Sequence, residues 1–126
     1  MNKDIKVLIV DDKKHLVELM RKIFSEYNGI EVIGIATNTN DERVKIETLK
    51  PDVVITDSLK NAEYTGLDLI EEYSKKDKKL YFYIISSNAN EIDKEEFKKY
   101  PQIIGSMRKP FIDYDKVVND ILNINQ

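Results

Sequence analysis

No cysteine occurs among these 126 residues, so a disulfide framework, a thiolate metal site and a cysteine nucleophile are all excluded. Long apolar runs are absent too. No stretch approaches the ~18 residues that a membrane span needs, and Met1-Asn2-Lys3-Asp4 leads straight into a short strand-like run without a targeting pattern. A soluble, untargeted, cytoplasmic protein is the expectation. An excess of one charge sign is also lacking: charged residues make up 34% of the chain, both signs interleave, and the formal net charge is only −3. That balance offers neither a nucleic-acid surface nor a membrane-binding face nor an acidic tail. No low-complexity linker interrupts the chain, and with 41% apolar residues at this length the expectation is one domain, residues 1–126, around one core. The sole histidine, His15, falls in the first turn of an expected helix and reads as a solvent-facing side chain rather than a ligand or base.

What is present is an alternation. Ile5-Lys6-Val7-Leu8-Ile9-Val10 is a β-rich apolar run ended abruptly by Asp11-Asp12, the pattern of a buried strand meeting a polar loop. Leu16, Leu19, Met20, Ile23, Phe24 and Tyr27 then recur at spacings of three and four, one apolar helical stripe that stops near Asn28-Gly29. The same sequence of strand then helix repeats: strands over 30–36, 52–57, 80–86 and 103–107, helices over 41–49, 67–76, 91–99 and 113–122, with 91–99 the most polar of them. Tyr81, Phe82 and Tyr83 read as core and edge packing, and Lys75-Lys76-Asp77-Lys78-Lys79 as a solvated helix end. Five strand–helix units with nearly continuous apolar strands imply a doubly wound α/β fold, a parallel sheet covered by helices on both faces.

Open sheets of this kind bind ligands beyond the carboxyl ends of their strands. Those ends carry Asp11 and Asp12 after the first strand, Asp57 after the third, Ser86-Ser87 after the fourth and Lys109-Pro110 after the fifth. Converging carboxylates repel one another and call for a hard cation; oxygen-only ligation without His or Cys favours Mg²⁺. A lysine and a hydroxyl facing the same point suit the oxygens of a phosphoryl group. The natural reaction is phosphoryl transfer to a carboxylate, and Asp57, alone after Val53-Val54-Ile55-Thr56, suits the acceptor role while Asp11 and Asp12 hold the metal.

Val7-Leu8-Ile9-Val10-Asp11-Asp12, Lys50-Pro51-Asp52-Val53-Val54-Ile55-Thr56-Asp57, Ile84-Ile85-Ser86-Ser87 and Lys109-Pro110-Phe111 together make the chain resemble the receiver domains of two-component response regulators, of which CheY is the minimal form. The resemblance covers essentially the whole chain. It implies a flavodoxin-like sheet of order 2-1-3-4-5 with five helices. It also implies Mg²⁺ held by Asp11, Asp12, Asp57 and the backbone carbonyl of Leu59, a phosphoryl group on Asp57, a hydrogen bond from Ser86 to that group, and an ion pair from Lys109. A sensor histidine kinase or phosphotransfer protein would be the donor. The reader would be a downstream effector, an attached output domain or a phosphorylation-dependent dimer partner, meeting the face formed by 91–99 and the fifth strand.

Several positions depart from the family pattern. Ser106 stands where an aromatic residue is usual, three before Lys109; the Met-Pro usual after the phosphorylated aspartate is missing; and 58–65 is one residue longer than expected. The spacing from Ser86 to Lys109 is also one longer, which leaves Ser87 as an alternative to Ser86. Asp11-Asp12 read alone could simply cap the first helix. Two other functions compete with a non-enzymatic switch: a pseudo-receiver that binds partners without phosphorylation, and a phosphatase of the haloacid dehalogenase type. The phosphatase would need Asp-x-Asp after the first strand, where Asp11-Asp12-Lys13 stands.

Overall fold

The computed structural model describes residues 4–57, 66–77, 79–86, 99–109 and 112–125. Within them run β1 (Ile5–Val10), α1 (Lys14–Ser25), β2 (Ile30–Ala36), α2 (Thr39–Leu49), β3 (Val53–Thr56), α3 (Gly66–Lys76), β4 (Tyr81–Ser86), β5 (Ile103–Arg108) and α4 (Tyr114–Leu122), followed by a short 3-10 turn, Asn123–Asn125. The five strands form one parallel sheet of order β2-β1-β3-β4-β5, as expected. Four α-helices are found among the described residues; the helix expected over 91–99 falls almost wholly outside them.

The strands read as unbroken apolar runs because both faces of the sheet are covered. Side chains alternate across a strand, so Ile5, Val7, Ile9, Val53, Ile55, Tyr83 and Ile85 pack with α1 and α4. Leu8, Val10, Val54, Phe82 and Ile84 pack with α2 and α3 on the opposite face. Each such side chain removed from water contributes on the order of 1.5–3 kcal/mol. Phe82 and Tyr83 are both buried, in keeping with a packing role.

The helices seat less predictably than the strands. On α1 the buried residues are Val17, Met20 and Phe24, whereas Leu19, expected in the apolar stripe, is 51% exposed. The true stripe lies further round the helix. α1 closes before Gly29, whose φ of +89° takes the chain through a left-handed turn that glycine adopts without strain. α2 begins two residues before its expected start because Asn38 caps it, its side chain accepting from the Asp41 N–H at 2.8 Å. Asp113 caps α4 in the same way, accepting from the Lys116 N–H at 3.1 Å, so that helix starts one residue later than expected.

The pairing of β4 with β5 shifts register between Phe82 and Tyr83: Phe82 lies opposite Ile103, Tyr83 opposite Gly105, and Ser86 opposite Arg108. One extra residue of β5 is taken up there, in the manner of a β-bulge. Past the shift, Ser86 stands at the carboxyl end of β4, one row before Lys109.

Candidate functional site

The sheet itself brings the acids together. β1 and β3 are neighbours with Val10 opposite Thr56, so the next residue on each strand, Asp11 and Asp57, leaves the sheet at the same level. Two backbone bonds hold that edge: the Asp57 N–H donates to the Val10 carbonyl at 3.2 Å, and the Asp11 N–H to the Ala36 carbonyl at 3.1 Å. The buried Thr56 hydroxyl donates to the Asp57 carbonyl at 2.9 Å. Asp11, Asp12 and Asp57 each offer a carboxylate oxygen, and these oxygens lie within 4.8 Å of one another.

Burial divides the three. Asp11 is only 1% exposed, Asp57 is half-buried and Asp12 is exposed. Lys109, one residue past β5 and itself buried, donates from Nζ to Asp11 Oδ2 and, at 3.0 Å, to Asp57 Oδ2. A single ammonium thus bridges the ends of β1 and β3 from the far side of β4. Three carboxylates against one ammonium leave the cluster short of positive charge.

Burial pushes the Asp11 carboxyl above its ordinary value, and the neighbouring Asp57 adds to this, while Lys109 and the Lys13 amide act in the opposite direction. Burial on its own would lower the Lys109 ammonium, but its bonds to Asp11 and Asp57 outweigh that and hold it above the usual lysine value. A second acceptor bond, from the Lys13 N–H to Asp11 Oδ1 at 2.9 Å, fixes the Asp11 carboxylate. Lys13 is the residue that precedes α1 as its cap, and its own side chain makes no capping bond. Asp11 is therefore turned to the cluster and does not cap the first turn of α1.

The other expected site residues fall as follows. Ser86 ends β4, the strand between those of Asp57 and Lys109. Leu59, Ser87, Pro110 and the long segment 58–65 lie outside the described residues. His15 is exposed on α1, as expected. Ser106 sits in β5 opposite Ile84, and the position usually aromatic carries no ring.

One aromatic side chain of β4 makes a polar contact that spacing alone does not predict. Tyr83 lies fully buried on β4, in the space left by Gly105, where a Cβ would come within 2.6 Å of the tyrosine Cε2. Its hydroxyl donates to Asp120 Oδ2 on α4 at 3.0 Å, and burial, reinforced by Asp120, raises its pKa. Its place opposite a glycine on the adjacent strand is the signal that could have revealed it, but only with the register known.

Comparison with known proteins agrees with this geometry. The family model of the response regulator receiver domain matches residues 7–121. A protein-glutamate methylesterase/protein-glutamine glutaminase of Treponema denticola is 35% identical over 88 residues, 70% of this chain and 23% of that protein. The chemotaxis protein CheY of Thermotoga maritima is 39% identical over 72 residues, 57% of this chain and 58% of that one. The match thus spans about a quarter of the methylesterase and just over half of CheY. Among solved structures, the isolated REC domain of RcsB from Salmonella enterica serovar Typhimurium superposes with a TM-score of 0.82 at 20% identity, covering 96% of this chain and 90% of that one. The CheX–CheY–BeF3–Mg complex of Borrelia burgdorferi gives 0.79 at 22% identity, covering 98% and 91%; at these identities the likeness concerns the fold. With the family model matched across all five strands and the acid edge they create, the chain belongs to the response regulator receiver domain family.

Proposed function

We propose that Asp57 is the phosphoryl acceptor of this receiver domain and that Mg²⁺ is held by Asp11, Asp12, Asp57 and the Leu59 carbonyl. The observation that carries the reading is the cluster itself: three carboxylates with oxygens within 4.8 Å of one another, two of them, Asp11 and Asp57, bridged by one buried lysine whose charge does not balance the three. Oxygen-only donors without sulfur or imidazole suit a hard cation, and Mg²⁺ bound there would offset both the remaining acid charge and that of an incoming phosphoryl group.

In the reaction, an Asp57 oxygen forms a bond to phosphorus as the phosphorus–nitrogen bond of a donor phosphohistidine breaks, its electron pair leaving with the imidazole. Thr56 and the Val10 carbonyl hold the Asp57 backbone in place. Lys109, already within hydrogen-bond reach of Asp57, is positioned to pair with the phosphoryl oxygens, and Ser86, at the end of the intervening strand, is the hydroxyl assigned to bond them. The charge change at Asp57 is then read as a shift between two arrangements of the surrounding loops.

On this reading the whole chain acts as one receiver unit in the cytoplasm. Its donor is a sensor histidine kinase or phosphotransfer protein, and its reader a downstream effector, an attached output domain or a dimer partner. It works as a phosphorylation-controlled switch; the Treponema denticola methylesterase matches it over 23% of that protein's own length. No helix among the described residues is long and apolar enough to cross a membrane. Ser106 supports a second reading, a pseudo-receiver that binds partners without phosphorylation, because the usual aromatic ring is missing from β5.

Intact mass after incubation with acetyl phosphate, with and without Mg²⁺, separates the two readings. The expected result is a single Mg²⁺-dependent phosphoryl addition to the wild type and none to Asp57→Asn. No addition to the wild type would leave the pseudo-receiver.

A further inference from the structure

α2 carries its polarity the wrong way round. Val44 and Leu49 are exposed, while Thr39 and Glu42 are buried, Glu42 completely. Thr39, Glu42 and Ile46 occupy positions i, i+3 and i+7, which lie on one face of a helix, and that face is the buried one. Neither carboxyl oxygen of Glu42 has a hydrogen-bond partner, and the Thr39 hydroxyl has none either. An ionised carboxylate buried without a hydrogen-bond partner is far costlier than a neutral acid, so such a group keeps its proton.

We propose that Glu42 is carried under α2 as a neutral carboxylic acid and that the seating of this helix on the sheet is thereby linked to a proton, independently of the phosphoryl reading of the acid edge. The cations and acids on α2 and on the elements packed against it are engaged elsewhere or exposed, Glu71 and Lys75 of α3 among the exposed ones. On α2 itself Arg43 reaches Glu72 of α3 at 2.5 Å, Lys45 pairs with Asp41 at 3.0 Å and also donates to the Ile35 carbonyl of β2, and Glu47 accepts from Tyr73 of α3. On α3, Lys76 pairs with Glu72 at 2.8 Å, and Asp68 also has a partner. Glu31 of β2 and Lys6 of β1 are exposed, and Asp11, just past β1, belongs to Lys109.

Burial raises the Glu42 carboxyl from 4.5 to about 8, opposed only by the charge of Arg43. The folded protein then keeps a proton that the unfolded chain releases. The contribution of Glu42 to folding is fully present below 4.5 and is lost as pH rises through the window to about 8, lowering the folding equilibrium constant by up to about tenfold per pH unit.

The test is urea unfolding across that window for the wild type and Glu42→Gln, together with the ¹³C carboxyl resonance of Glu42 followed against pH in the wild type. The amide keeps the shape and cannot ionise. The expected result is a Glu42→Gln protein whose stability depends less on pH and whose advantage over the wild type grows at least tenfold, in equilibrium constant, toward alkaline pH, with the wild-type resonance titrating near neutrality or above. A resonance titrating at the ordinary carboxylate value, or parallel pH curves for the two proteins, would overturn the proposal. Should Glu42→Gln fail to fold, the wild-type resonance alone gives the answer.

Discussion

Asp11 and Glu42 are the two buried acids among the described residues, and their surroundings are opposite. Asp11 gave up water at the carboxyl end of β1 and gained Lys109 together with the Lys13 amide. Glu42 gave up water under α2 and gained no hydrogen bond at all. Burial raises both carboxyls, yet at Asp11 an ammonium opposes the rise directly, and that ammonium is shared with a second acid, Asp57. A buried charge with an answering charge makes a site for chemistry; one without an answer becomes a stored proton.

Removing the answering cation should have the largest effect. Lys109→Met strands Asp11 beside Asp57, and breaking a buried pair from one side costs about 3 kcal/mol or more. Urea unfolding without Mg²⁺ should show that loss, and saturating Mg²⁺ should recover more stability in the variant than in the wild type. Equal Mg²⁺ effects in the two proteins would separate Lys109 from the cation site.

The Glu42→Gln comparison against pH comes next in size and works from the other side. There the variant should gain on the wild type as pH rises, because the wild type alone loses stability, where removing Lys109 costs stability, so the two buried acids should respond to neutralisation and to partner loss with opposite signs.

A smaller effect is expected at Tyr83, whose hydroxyl has one partner, a carboxylate that is also paired with a lysine. Tyr83→Phe removes the bond to Asp120 but leaves Asp120 with Lys116 at 2.9 Å, so the cost should be about 1 kcal/mol by chemical denaturation. A much larger loss would mean that the β4–α4 tether organises more than a single hydrogen bond.

The smallest stability change is expected at Asp12, which is exposed and makes no ion pair with Lys109. Asp12→Asn should alter stability without Mg²⁺ by less than about 0.5 kcal/mol, while calorimetric Mg²⁺ affinity falls at least tenfold. An unchanged affinity would remove Asp12 from the ligand set.

Much of this arrangement is legible in the sequence. Continuous apolar strands alternating with helical stripes demanded a parallel sheet with two covered faces, and acids at the ends of the first and third strands had to meet if those strands were neighbours, as Val10 and Thr56 are. Two kinds of information were hidden. Which of two adjacent aspartates turns inward depends on backbone direction at the end of β1, and Asp11 and Asp12 look alike in sequence. Helical faces were read from spacing alone, so Leu19 was placed inside where Val17 belongs. The polar first turns of α2 gave no hint that Glu42 is buried, because a buried unpartnered acid breaks the very rule by which the sequence was read. The register shift between β4 and β5 was likewise invisible in the apolar pattern. Residues 58–65 and 87–98, which hold the Leu59 and Ser87 positions, lie outside the described residues.

On the proposed reading the phosphoryl group forms on Asp57 alone and pairs with Lys109, while Asp11 and Asp12 hold the Mg²⁺. Acyl phosphates can be trapped by borohydride reduction, which turns the modified aspartate into homoserine, so peptide mapping of the protein after treatment with acetyl phosphate and Mg²⁺ names the residue directly. The account predicts homoserine at position 57 alone. Homoserine at position 11 or 12, or at none of the three, would contradict it.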